Sequence, residues 1–150
     1  YHKIILFILA CHFTVQMFLP FRHLLYDGNV LWHEQGFRFS WRVMLIEKDG
    51  YAIFHVKDPK TGKMWDINTP NYLNANQEKM MSTQPDMILQ FAHFLAQKYK
   101  EQGIENPEIT VDCYVTLNGR RSRLFIDNQV NLATEKEGFK AKIWILPFEK

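Results

Sequence analysis

Charge of either sign is missing from one long stretch of this chain. Ile4 to Leu19, IILFILACHFTVQMFL, contains no Asp, Glu, Lys or Arg. Cysteine is scarce: only Cys11, inside that stretch, and Cys113, in a strand-like run. Two thiols so placed exclude a disulfide framework, and both are expected to be small buried hydrophobes. No phosphate-cradling glycine loop, nucleophile elbow, Walker sequence, internal repeat or low-complexity segment is present. His12, His23, His33, His55 and His93 are scattered without metal-ligand spacing to a cysteine or carboxylate, so no metal is expected. A net charge of +2, with acids and bases interspersed, excludes nucleic acid as the main partner.

Aromatic residues are plentiful, at 15% with twelve Phe, more than a small soluble domain needs. The 150 residues suit one domain with its own core. The uncharged run is slightly short for a straight span of a ~30 Å hydrocarbon layer, and extension to Leu25 supplies the length. Three readings stay open for it. It is the end of a transmembrane helix, a signal peptide with Lys3 as its basic flank, or a buried helix packed on others. Pro20 ends or kinks it, and Tyr26-Asp27-Gly28-Asn29 is a turn signal. Val30 to Gly36 reads as irregular.

Phe37 to Lys48 alternates, with Phe37, Phe39, Trp41, Val43 and Leu45 on one face, so a strand is expected. Asp49-Gly50 predicts a tight hairpin, Tyr51 to Lys57 a second strand, Asp58-Pro59-Lys60-Thr61-Gly62 a turn, and Lys63 to Asn68 a third strand, completing a meander. Thr69 is expected to cap a helix reaching about Met81. Pro85 opens an amphipathic helix with Ile88, Phe91, Ala92, Leu95, Ala96 and Tyr99 on its core face, and Gly103 caps its end. Ile109 to Leu117 alternates again, Asn118-Gly119 signals a hairpin, Arg123 to Ile126 returns, and Ala141 to Phe148 reads as a last strand. The fold class is therefore α+β: an antiparallel sheet, meander plus hairpin, packed on one or two helices and preceded by an N-terminal transmembrane helix. On the membrane-helix reading, residues 1–25 are expected to form the helix and its boundary, and 26–150 the α+β domain.

Phe18 to Met44 sets Arg22, His23, Trp32, His33, Arg38, Trp41 and Arg42 among large apolar residues. Cationic, imidazole and indole groups mixed in this way suit a membrane–water boundary or the mouth of a site. Arg22, His23 and Trp41 are candidates for a substrate entrance. Trp41 and Arg42 fall on opposite faces if the alternation holds. The competing readings are Arg22 reaching lipid headgroups, His23 capping the helix and Trp41 packed in a core. Arg120, Arg121 and Arg123 form either an anion clamp or a solvated hairpin tip.

Phe18-Leu19-Pro20, His23-Leu24-Leu25, Trp32 and Phe39-Ser40-Trp41 resemble the vitamin K-dependent gamma-carboxylase family. The likeness continues in order through Lys57-Asp58-Pro59-Lys60-Thr61-Gly62, Asn118 to Asp127 (NGRRSRLFID), Gly138-Phe139, Trp144 and Pro147. The Trp-Ile-Leu-Pro-Phe ending is similar to that of bacterial-type members. The resemblance implies the C-terminal portion of an integral membrane protein, with the last preceding membrane helix at Ile4 to Leu19 and a non-cytoplasmic domain after it. It implies chemistry that oxidises reduced vitamin K and carboxylates glutamate on a peptide or protein. The family's catalytic lysine would lie in membrane helices ahead of Tyr1. No catalytic residue is therefore expected here, and the cofactor would bind mainly outside this chain. The expected partners are those helices, membrane lipid and a glutamate-containing substrate. Expected substrate-side residues are Arg22, His23, Trp41, Arg42, Arg120 and Arg123. A non-catalytic membrane-anchored or lipoprotein binding domain is the alternative.

Overall fold

The computed structural model describes residues 1–42 and 45–148. They form two compact units, Tyr1–Ile46 together with Phe148, and Glu47–Pro147.

The first unit begins with helix α1 (His2–Phe18), which buries none of its residues. Thr14 satisfies its own hydroxyl by donating to the Ala10 carbonyl at 2.7 Å. At Pro20 the chain does not stop but tightens into a 3-10 segment, Leu19–Leu25. Proline cannot donate into the α ladder, and the tighter helix accommodates it. The 17 residues of α1 alone reach only ~26 Å at ~1.5 Å each, and the 7 that follow add ~14 Å at ~2 Å each. His2–Leu25 is accordingly long and apolar enough to cross a membrane.

Val30–His33, expected to be irregular, is a one-turn helix, α2. The Asn29 side chain caps it by accepting from the Leu31 N–H at 3.0 Å, and Trp32 and His33 are buried. Glu34 ends it in the left-handed conformation. Trp32 packs at a tilt against Phe148, with ring centroids 4.8 Å apart and ring planes at 45°.

The strand expected over Phe37 to Lys48 is absent among its described residues; Val43 and Met44 lie outside them. Residues 37–41 are turns, with the Ser40 N–H donating to the Phe37 carbonyl and positive φ at Phe39 (69°) and Trp41 (56°). Two left-handed residues cannot belong to an extended strand. The first strand, β1 (Lys48–Lys57), starts only at the end of that run.

In the second unit β1 runs straight through Asp49-Gly50, so the expected hairpin there does not exist. Gly50 pairs with Val115 of β3 (Glu108–Leu117). A Cβ on Gly50 would lie 2.5 Å from the Tyr114 carbonyl oxygen, so glycine serves close strand approach here rather than a turn. The Asp58–Gly62 turn joins β1 to β2 (Met64–Asp66) as expected. The sheet order is β2-β1-β3-β4, all antiparallel, with β4 at Arg123–Leu124. It is thus two hairpins, β1–β2 and β3–β4, joined by the long-range β1–β3 pair, rather than a three-strand meander. Asn118 (φ 49°) and Gly119 (φ 73°) make the predicted turn after β3.

Thr69 opens only a 3-10 turn, Thr69–Asn71. The helix proper, α3 (Ala75–Met81), begins at Asn74 with a capping box to Gln77. Thr69 instead donates to the Glu78 carboxylate. Helix α4 (Pro85–Glu101) presents Ile88, Leu89, Phe91, Ala92 and Leu95 as buried residues. Gly103 (φ 95°) terminates it, with the Ile104 N–H reaching the Tyr99 carbonyl. Phe91 meets Phe54 of β1 edge-on at 4.9 Å, and Ile109, Val111, Cys113 and Val115 of β3 are fully buried. The strand expected over Ala141 to Phe148 reduces to a single bridge, Ile126 to Ile145, beside buried Trp144. Cys113 is buried as expected. Cys11 is exposed instead, on a helix that buries none of its residues.

Candidate functional site

The first unit holds a cavity of about 580 Å³, in the range of small-ligand sites. The end of α1 supplies Phe13, Gln16 and Met17, the 3-10 segment supplies Pro20, Phe21 and His23, and the turn region supplies Ser40, Trp41 and Arg42. Most of the wall is aromatic or aliphatic. Polar groups are few and converge at His23 and Arg42.

Three local features place them. Gly36 (φ 70°) lies so close to the 3-10 segment that a Cβ would sit 2.7 Å from His23 N and Cα. Only glycine permits that contact and that φ together. The Ser40 hydroxyl donates to the Phe37 carbonyl and closes the turn. The positive φ of Trp41 then puts Trp41 and Arg42 on the same cavity. This replaces the expectation that they occupy opposite faces. Trp41 is 81% exposed, so it is not a core tryptophan.

The His23 Nδ1 lies 2.9 Å from the Pro20 carbonyl oxygen, and its Nε2 lies 3.1 Å from Arg42 Nη2. A guanidinium only donates and a carbonyl only accepts. The ring is therefore neutral, protonated on Nδ1, with Nε2 accepting from Arg42. Arg22 stands apart from this pair. It lines a shallower groove of about 470 Å³ with Val15, Phe18, Leu19, Phe21 and Leu25.

Arg120, Arg121 and Arg123 are exposed in the second unit, around the turn that follows β3. Asn118 ties that turn to the start of β1: its Oδ1 accepts from the Glu47 N–H and its own N–H donates to the Glu47 carbonyl, both at 2.8 Å.

Sequence reading missed Gly36 and a polar cluster on the outer face of the sheet. His55 of β1 meets Asp66 of β2 at 2.7 Å and Asp112 of β3 at 3.1 Å. The Asn128 amide donates to Asp112 at 2.8 Å. That amide first, and His55 after it, hold the Asp112 carboxyl below the usual aspartate range. The only sequence signal was period-two alternation, which puts His55 and Asp112 on one face. The cluster staples three strands. Burial pushes the Cys113 thiol up to about 12, so it is no nucleophile at neutral pH. Among the described residues no group of three His, Cys, Asp or Glu side chains is arranged to hold a metal ion.

No solved structure matches the chain. The family model described as vitamin K-dependent gamma-carboxylase, lumenal domain, matches residues 1–150, the full length of the sequence. With that match, and an α+β unit that follows a helix able to span a membrane, the chain belongs to the vitamin K-dependent gamma-carboxylase lumenal-domain family.

Proposed function

We propose that this chain is the substrate-side portion of a carboxylase-like integral membrane enzyme. In this reading the second unit lies on the non-cytoplasmic side and the cavity receives a glutamate side chain of a peptide or protein. The observation that carries the reading is the Arg42–His23 pair converging on a mostly apolar cavity beside a potential membrane span. An arginine fork can take a carboxylate with two parallel hydrogen bonds, and a surrounding apolar wall strengthens them. Trp41 offers a flat face to the peptide on either side of the glutamate. Arg22, in its separate groove, serves the lipid boundary rather than the carboxylate. Arg120 and Arg123 add positive charge that draws an acidic peptide toward the domain.

The cofactor that the family implies, reduced vitamin K, does not fit these residues as a reacting group. Its oxidation needs a base at a ring oxygen. The cavity offers Arg42, a permanent cation, and His23, whose two ring nitrogens are both engaged. The redox and carboxylation steps are therefore assigned elsewhere in the enzyme, and this chain binds and orients.

The test uses the full-length protein in detergent and a glutamate-containing peptide. Arg42→Gln removes a charged hydrogen bond of about 1.5–3 kcal/mol, a loss of roughly 10- to 150-fold in affinity. Trp41→Phe should weaken binding less. Both variants should keep their melting temperature within a few degrees, the scale of a change below ~1 kcal/mol. Unchanged peptide affinity in Arg42→Gln would remove the cavity from substrate recognition. Intact binding by a full-length protein that carboxylates nothing would favour a non-catalytic binding domain.

A further inference from the structure

Neutral His23 does more than line the cavity. Its Nδ1–H is anchored on the Pro20 carbonyl, inside a 3-10 segment that the proline ring stiffens, so the ring plane is set by backbone. Its Nε2 lone pair then points at Arg42 and holds that guanidinium on the cavity. Both side chains are half-buried. Gly36 and the Ser40 turn bring the two segments together. Protonating Nε2 would turn an acceptor into a donor facing a cation 3.1 Å away. The hydrogen bond would be lost and replaced by repulsion. A carboxylate entering between the two groups reverses that cost, because it accepts from both.

The charged groups around His23 make this exchange specific. The turn region contributes Arg42, and the 3-10 segment contributes Arg22, which faces the neighbouring groove. The α1 residues on the cavity are Phe13, Gln16 and Met17, none of them charged. Among the described residues, no acidic side chain lines the cavity to neutralise a second positive charge before the ligand arrives.

We propose that His23 is a positioning residue that couples carboxylate binding to proton uptake. The empty cavity holds neutral His23 bonded to Arg42, and the occupied cavity holds a carboxylate between imidazolium and guanidinium. This rests on the reading of the cavity as a carboxylate site. One proton moves from solvent to His23 Nε2 for each carboxylate bound, and no covalent bond changes. By linkage, affinity rises as pH falls, with a limit of about tenfold per pH unit for one coupled proton. The measurement runs from about pH 8 to pH 6, a range in which the glutamate side chain remains ionised.

The experiment is titration calorimetry of the full-length protein in detergent with an acetylated glutamyl peptide amide. It is run across this pH range and in two buffers of different ionisation enthalpy, which count protons taken up. Wild type should take up close to one proton per peptide near the alkaline end and bind more tightly as pH falls. His23→Gln keeps an oxygen that can accept from Arg42 but cannot titrate. It should bind with an affinity that does not change with pH, weaker than wild type by a margin that widens as pH falls, and without proton uptake. Wild-type pH dependence surviving in His23→Gln overturns the coupling and leaves the carboxylate site standing. No peptide binding by wild type at any pH overturns both. If His23→Gln fails to fold, nitrogen NMR of the wild-type ring decides. Peptide-free His23 protonated on Nδ1 and bare on Nε2, gaining the second proton on peptide addition, supports the proposal. The opposite tautomer, or no change on addition, overturns it.

Discussion

Gly50→Ala tests how the sheet is built. Two effects oppose each other. Alanine in a strand interior is favoured over glycine by roughly 0.5–1 kcal/mol, through lower chain entropy in the unfolded state. Against this, the new Cβ would lie 2.5 Å from the Tyr114 carbonyl oxygen, 2.9 Å from a Val115 methyl and 3.1 Å from the Val115 Cα. Two of these are backbone atoms of the paired strand, so β1 and β3 must separate locally or shift. Overpacking of this kind costs about 1–3 kcal/mol. The clash wins, and the net loss is about 1–2 kcal/mol. With a urea slope of ~2 kcal/mol/M, the unfolding midpoint should fall by ~0.5–1 M at constant slope. The assay is urea unfolding of the full chain in detergent, followed by tryptophan fluorescence and circular dichroism. Gly138→Ala is the control, because nothing lies within 4 Å of its Cβ position and its backbone is outside the left-handed region. Its midpoint should stay level or rise slightly. A Gly50→Ala midpoint at or above wild type would refute the close β1–β3 approach and return Gly50 to a turn.

Phe91→Ala should cost about 3–5 kcal/mol, the usual range for deleting a buried Phe, because its ring meets Phe54, Tyr72 and Phe94. A loss below about 1 kcal/mol in the same unfolding assay would misplace the core face of α4. Acid should loosen the cluster on the sheet's outer face. The Asp112 carboxyl is held down in the folded state, so its contribution is complete above the unfolded aspartate value near 3.9 and is lost as pH falls through the lower folded value. Asn128→Ala should move the Asp112 titration, followed by carbon NMR, up toward the ordinary range; an unmoved titration would discount the amide's role.

Local signals in the sequence determined a good deal. An uncharged apolar run specifies a helix able to span a membrane whatever surrounds it. The period of Ile88, Phe91, Ala92 and Leu95 specifies the buried stripe of α4, and the alternation from Ile109 to Leu117 specifies the inward face of β3. Proline at a helix start and Asn-Gly at a turn act through their own φ preferences, so both were legible. What failed were patterns whose meaning depends on distant partners. Asp49-Gly50 has the chemistry of a turn, but β3, more than sixty residues away, recruits Gly50 because only a missing Cβ lets the strands close. Phe37 to Trp41 alternates like a strand but finds no strand partner. The turn at Ser40, made possible by Gly36 lying against His23, bends it back toward the end of α1. The same fold-level choice assembled the candidate site. Composition placed Arg22, His23, Trp41 and Arg42 in one boundary stretch. The folded chain then paired His23 with Arg42, set Trp41 on their cavity and turned Arg22 to another groove, because hydrogen-bond geometry across nineteen positions has no local trace in the sequence.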